Sequence, residues 1–377
     1  MGQQPTLNLD TELFLSRYWQ REPLLIRSAV NDFSAPLCQN ELAGLAMEAD
    51  VESRIIEQRD DTWLLHHGPF DAPDFDRPGA WTLLVQAVDH YSHEVAALRQ
   101  LVNFIPQWRV DDVMVSYAKN GGSVGPHYDN YDVFLLQGEG DRLWRVGNYC
   151  DSDAALQPHD ELRILADFET QQEYLLHPGD ILYLPPRVAH WGIARGECTT
   201  FSIGFRAPRL NDMVSRWADQ LLEQLDPEEF FHDARMSPAT RAGEIRPRDR
   251  ERARAQLQAA LDQTSSDTWF GELVTEPRYE SMPDEDMLEY ARERLLHGAE
   301  RLQLSAAAKL AWQQEDNTIV IFANGDSQRY PDTVLPVIMH LCATGELQNS
   351  MLSEAMASAP AQQLVHDLLG RGCLYVE

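Results

Sequence analysis

Lysine is almost missing from this sequence. Lys119 and Lys309 are the only two in 377 residues, so arginine carries nearly all the positive charge. Positive charge is itself scarce: 31 basic residues face 60 acidic ones, a formal net charge of −29. A surface this acidic repels nucleic acid and anionic membranes. It suits a basic partner, or a cell with high internal salt, where acidic, lysine-poor surfaces stay hydrated. A merely acidic soluble protein is the plainer alternative. Cysteine is also sparse. Cys38, Cys150, Cys198, Cys342 and Cys373 are scattered, odd in number and without a CxxC pair. That argues against a disulfide framework and against a zinc knuckle, and fits reduced thiols in a cytoplasm. The N-terminal MGQQPTLNLDTELF has no basic start followed by an apolar run, so no signal peptide is expected. No stretch approaches the length a bilayer span needs.

The charge balance carries a test. If the acidity is partly a salt adaptation, stability rises with KCl into the molar range, because screening relieves self-repulsion. A melting temperature that is flat or falls in KCl leaves partner binding as the cause.

What is present begins with 44% apolar residues, enough for real cores, in a chain long enough for two or three domains. Residues 1 to about 110 mix helix and strand. Thr11 is placed to cap a helix carrying Leu13, Phe14, Tyr18 and Trp19. PLLIRSAV reads as a strand, ELAGLAMEA as a helix, and WTLLVQAVDHYSHEVAALRQLVNFI as a long helical pattern ending before Pro106. From Val110 to Pro208 the period changes. DVMVSYA, YDVFLLQ, RLWRVGNY, EYLLHPG, DILYLPP and TTFSIGFRA are short apolar strands punctuated by Gly, Pro, Asp and Asn. Their spacing predicts an antiparallel barrel or jelly roll. After Pro208 NDMVSRWADQLLEQL is an amphipathic helix. RPRDRERARAQLQAALDQ is a second, read as a solvated face with i, i+4 charge pairs. Residues 284 to 298 suggest a third. From 301 a small α+β module follows, with a hairpin turn at Asn324-Gly325 and a final strand, CLYVE.

The segment GGSVGPHYDNYDVFLLQGEGDRLWRVG, residues 121–147, is unusually charged for a half-buried sheet. In a strand, residues i and i+2 share a face, so His127 and Asp129 project side by side. The motif alone is weak: with 12 histidines and 60 acids, H-x-[D/E] arises by chance about twice. It occurs at His127-Tyr128-Asp129 and again at His159-Asp160-Glu161. Context adds weight. In HPGDILYLPPRVAHWG, residues 177–192, Pro178-Gly179-Asp180 makes a tight turn, Ile181–Leu184 a strand, and His190 follows. In a double-stranded β-helix the H-x-D strand and this late histidine meet at the barrel mouth. They supply a two-histidine, one-carboxylate facial triad, which suits non-haem Fe(II). Structural zinc would want a fourth protein ligand and cysteine sulfur.

These stretches resemble the JmjC-type cupin oxygenases. More narrowly, they are similar to the bacterial ribosomal oxygenases that hydroxylate an arginine of large-subunit ribosomal protein sixteen. FLSRYWQREPLLIR, ELAGLAMEADVESR, HHGPF and SIGFRAP share the likeness, which covers the chain and weakens after residue 210. The resemblance implies metal ligands at His127, Asp129 and His190, with 2-oxoglutarate as cosubstrate and O2 as oxidant. Its far carboxylate falls to Arg142, with Ser116 beside it. A buried dicarboxylate needs such a cation on physical grounds, and arginine offers a bidentate fork. A solvated arginine at a hairpin base and a satisfied strand serine are the structural alternatives. Arg145 is the runner-up but has opposite strand parity. Trp144 and Trp191 read as packing near the pocket, His66, His67 and His159 as loop or surface histidines, and Gly121-Gly122 as a flexible entry to the metal strand.

The expected architecture is α+β: a JmjC/cupin oxygenase domain over 1–208, a helical dimerisation region over 209–300, and a winged-helix-like module over 301–377. The expected partners are a basic ribosomal protein and a second copy of the chain, with no membrane and no direct nucleic-acid binding, in the cytoplasm. Histidyl hydroxylation of a ribosomal protein is the near alternative, methyl-lysine demethylation a more distant one. A non-catalytic cupin that senses a ligand is the alternative of a different class. Tyr117, Tyr128, Tyr131 and Asp132 stand close in sequence to the metal strand as candidate partners for a substrate guanidinium.

Overall fold

The short apolar segments after Val110 form strands that pair, with four earlier ones, into two antiparallel sheets. In chain order the strands are β1 (Leu24–Ile26), β2 (Ser53–Arg59), β3 (Thr62–His67), β4 (Trp81–Val85), β5 (Val110–Ala118), β6 (Val133–Gln137), β7 (Asp141–Tyr149), β8 (Gln172–Leu176), β9 (Ile181–Leu184), β10 (Val188–Arg195) and β11 (Cys198–Phe205). Eight make a large sheet in the order β1-β9-β6-β11-β5-β4-β2-β3, and three a small sheet in the order β10-β7-β8. This is a double-stranded β-helix of the cupin kind. The computed structural model describes residues 6–60, 62–238, 241–262, 267–279, 285–298 and 300–376. Residues 263, 284 and 377, at the edges of three expected elements, lie outside the described residues.

Alternation along the strands sets two cores. On one face of the large sheet Val113, Val115, Phe134, Leu136, Tyr183, Phe201 and Ile203 pack with Phe14, Leu42, Val88, Leu98 and Val102 from the N-terminal third. On the other, Val133, Leu135, Leu182 and Leu184 meet Trp144, Val146, Leu176 and Val188 of the small sheet. Burying each such side chain stabilises the fold by roughly 1.5–3 kcal/mol. β9 contributes to both cores, which is why Ile181–Leu184 is buried at every position and reads as an unbroken apolar run.

Three expectations are corrected. The segment beginning WTLLV is not one long helix: Trp81–Val85 is a fully buried strand between β2 and β5, followed by short helical turns from Val88 to Val102. A short buried run such as Trp-Thr-Leu-Leu-Val looks alike in a strand and a helix; pairing with β2 and β5 decides. The first helix is capped by Asp10, whose carboxylate accepts from the Leu13 N–H, and not by Thr11. The arginine-rich helix Pro247–Asp262 is not laced by i, i+4 pairs. Its i, i+4 neighbours Arg248/Arg252 and Arg250/Arg254 are like charges, and the ion pair at its start joins Arg246 to Asp249, three apart.

Contacts divide the chain into one unit of Met1–Ala207 with Ser305–Ala307, and another of Pro208–Leu304 with Ala308–Glu377. The second unit holds helices Leu210–Gln224, Pro247–Asp262, Thr268–Val274 and Glu285–Leu296, then a mixed module built on Leu302, Ile319, Ile321, Ile338, Leu341, Leu364 and Leu368. Its hairpin turns at Asn324 (φ 50°) and Gly325 (φ 90°), the left-handed pair a two-residue loop requires. Among the described residues no helix is long and apolar enough to cross a membrane.

Candidate active site

His127 and Asp129 do not lie in a regular strand, contrary to the sequence reading. They sit on the loop before β6, held to β10 by a two-residue bridge. His127 N–H donates to the His190 carbonyl at 3.0 Å, and His190 N–H returns to the His127 carbonyl at 2.8 Å. Gly125 makes the approach possible: its φ is +81°, and a Cβ there would come within 2.6 Å of Ile164. The Arg187 N–H fixes the Asp129 carbonyl at 2.6 Å. The result brings His127, Asp129 and His190 together, with one ligand atom from each within 4.8 Å of the others.

The hydrogen bonds set the tautomers. His127 Nδ1 lies 3.0 Å from the Gly125 carbonyl, and His190 Nδ1 lies 3.0 Å from the Val188 carbonyl. A carbonyl can only accept, so each Nδ1 carries the hydrogen and each Nε2 is left with its lone pair. The Asp129 carboxylate is 3.6 Å from His190 Nε2. Burial first, and then His127, push the His190 pKa down to about 4, so this imidazole is neutral near pH 7. Two imidazoles and one carboxylate, with no thiolate, form a donor set that fits divalent iron.

Register decides what faces these ligands. On β7 and β10, Val146 pairs with His190, Trp144 with Gly192, and Arg142 with Ala194. Directly paired residues share a face, so Arg142 lines the same inner face as His190. It is 4% exposed, and its Nε and Nη2 have no hydrogen-bond partner. A buried cation with unmet donors calls for an anion. Arg145 takes the opposite face, bonded to Glu173 at 3.0 Å and stacked on Trp191. Ser116 on β5 pairs with Thr200 on β11 and is buried. Its neighbour Ala118 packs against Ala194, the strand partner of Arg142, so Ser116 and Arg142 face one chamber. Thr200 and Gln137 share that row. The sequence reading missed both, although the alternation in TTFSIGF places Thr200 and Ser202 on one side.

The four candidate substrate contacts separate. Tyr117 packs in the outer core. The Tyr128 hydroxyl donates to the Asp151 carbonyl. Tyr131, 42% exposed, stands beside Asp129, whose carboxylate is the largest cause raising its pKa above the ordinary phenol value, with Asp112 adding to this and Arg54 opposing. Asp112 is buried on β5, on the same face as Met114 and Ser116. Asp132 turns away. Its carboxylate accepts from Tyr183 Oη at 2.6 Å, Gln20 Nε2 at 2.9 Å and Arg109 Nη2 at 3.1 Å, and burial raises its pKa. It is a tie between the N-terminal segment and the sheet. Asp132→Ala would strand the Arg109 guanidinium and cost roughly 3–5 kcal/mol, read as a lower denaturant midpoint. A loss below about 1 kcal/mol would place the network among weak surface pairs.

The chain was compared with known proteins. The JmjC domain family matches residues 97–213, the ROXA-like winged helix family residues 255–375, and the AraC-like ligand binding domain family residues 168–276. The ribosomal protein uL16 3-hydroxylase of Escherichia coli (strain K12) is 38% identical over 281 residues, covering 74% of this chain and 74% of its own length. An X-ray structure of E. coli YcfD superposes with a TM-score of 0.86 at 32% identity, covering 99% of this chain and 100% of that one. A second structure, of YcfD, a ribosomal oxygenase from E. coli, in complex with cobalt and 2-oxoglutarate, gives 0.83 at 31% identity over 99% of both chains. With the barrel, the ligand cluster and these matches in agreement, this chain belongs to the JmjC-domain ribosomal oxygenase family.

Proposed function

We propose that this protein is an Fe(II)/2-oxoglutarate-dependent oxygenase that hydroxylates an arginine side chain of a large-subunit ribosomal protein. The observation that carries the reading is the cluster of His127, Asp129 and His190 on the inner face that also holds the unpaired Arg142. Iron bound there, with 2-oxoglutarate and O2, supplies an oxidant strong enough for an unactivated carbon. The chain's own residues bind and aim. Arg142 holds the far carboxylate of the cosubstrate, with the Ser116 hydroxyl nearby. Tyr131 offers an aromatic face beside the ligands, a kind of group a guanidinium prefers. Which carbon reacts is set by this positioning. The acidic surface speeds encounter with a basic ribosomal protein, and the E. coli relative is named for hydroxylating one.

The test is to incubate the enzyme with Fe(II), ascorbate and 2-oxoglutarate and with peptides that differ only in presenting Arg, His or methyl-Lys. The expected product is the Arg peptide heavier by one oxygen atom. Oxygen gained on the His peptide alone moves the protein to histidyl hydroxylation. Loss of a methyl group from the Lys peptide sinks the hydroxylase reading, and cosubstrate binding without any turnover favours the non-catalytic cupin.

The finer organisation follows the same reading: an oxygenase domain over 1–208, a dimerisation region over 209–300 and a winged-helix-like module from 301, acting in the cytoplasm without nucleic acid or membrane. The helix Leu210–Gln224 buries none of its residues and exposes Leu210, Val214 and Leu222. A second copy of the chain covers that apolar stripe. Sedimentation should find a dimer that Val214→Glu with Leu222→Glu disperses.

A further inference from the structure

Trp144 carries a polar group that packing does not use. It lies on β7 between Arg142 and Val146, opposite Gly192 of β10, with its indole on the inner face. Gly192 is what admits the ring: a Cβ there would come within 2.8 Å of two indole carbons and 3.0 Å of a third. The ring centroid is 5.9 Å from that of His190, and the Arg142 guanidinium carbon is 5.8 Å from the Trp144 ring. The residue is 4% exposed, and its Nε1–H has no hydrogen-bond partner. Buried indole N–H groups ordinarily find an acceptor, and an apolar side chain would pack there without leaving a donor unmet. Arg142 Nε and Nη2 share the lack. Three buried donors on one strand face, with no acceptor among them, suit an anion that has several lone pairs, such as a carboxylate.

We propose that the Trp144 Nε1–H donates to the distal carboxylate of 2-oxoglutarate, beside the Arg142 guanidinium. The assignment rests on the cosubstrate reading of Arg142. It makes Trp144 a binding residue, and it makes Gly192 the position that keeps the indole in place.

The test uses full-length, 15N-labelled enzyme loaded with Zn(II), whose nine tryptophans give indole N–H signals. Loss of one signal in Trp144→Phe identifies it. Should that variant not fold, Co(II) in place of Zn(II) marks the indoles near the metal, and Trp191→Phe removes the other candidate. On adding 2-oxoglutarate the Trp144 signal moves downfield and its exchange with solvent slows. Pyruvate, which keeps the chelating end and lacks the distal carboxylate, leaves it in place. Calorimetry finds 2-oxoglutarate binding roughly tenfold or more weaker in Trp144→Phe, with Zn(II) affinity unchanged. If 2-oxoglutarate binds in an Arg142-dependent way while the Trp144 signal stays put, the inference is overturned and the cosubstrate site stands. A signal that moves equally with pyruvate also overturns it. If 2-oxoglutarate binding is indifferent to Arg142, the cosubstrate reading fails first.

Discussion

Asp129→Ala abolishes 2-oxoglutarate turnover and leaves the fold intact. Asp129 is the one anionic donor in the cluster, and its carboxylate approaches His190 Nε2 and lies beside the Tyr131 hydroxyl. Changes in the shell around a metal already cost about 10–100-fold in affinity, so removing a ligand outright should cost more than that. The fold is spared because the loop is held by its backbone: Arg187 N–H to the Asp129 carbonyl, and the bridge between His127 and His190. Far-UV circular dichroism should match the parent, metal titration should show the loss, and succinate formation should stop. Full activity in this variant would mean that the triad is wrongly assigned.

Arg142→Ala has the second large effect, and it falls on the cosubstrate. Breaking a buried, hydrogen-bonded charge pair costs roughly 3–5 kcal/mol, which converts to an affinity for 2-oxoglutarate lower by roughly two to four orders of magnitude. Metal binding should survive, because Arg142 is not a ligand. Arg145→Ala is the control. That side chain sits on the other face with a partly exposed Glu173, so its removal should cost no more than about 1 kcal/mol and leave the cosubstrate requirement unchanged. An unaltered affinity in Arg142→Ala together with a large loss in Arg145→Ala would reverse the assignment of faces.

Much of the site was legible before any coordinates because its chemistry is concentrated in two short stretches. The residue types and spacing of His127, Asp129 and His190, taken with the family resemblance, suggest a metal site, and the same resemblance points to Arg142, which strand parity favours over Arg145. The barrel was legible for the same reason: short apolar segments with Gly, Pro and Asp between them have few other ways to bury themselves. What stayed hidden was pairing between segments far apart in the chain. Trp81–Val85 carries the same mostly apolar run whether helical or extended, and only its neighbours β2 and β5 make it a strand. His127 and Asp129 look like a strand and are a bridged loop.

By itself, then, the sequence determined the class of fold, the candidate ligand types and the unusual surface charge, because each is a property of residues and their local order. Only the tertiary structure decided which faces look inward. Parity says that Arg142, Trp144 and Val146 share a side, but the register against His190, Gly192 and Ala194 makes that side the interior. The same is true of Tyr131, which stands at the ligands, and Asp132, one residue on, which is buried in a tie to Tyr183 and Arg109. Adjacent side chains on an extended chain point opposite ways, and the sheet against which the chain is laid decides which of them faces Asp129 and which the core.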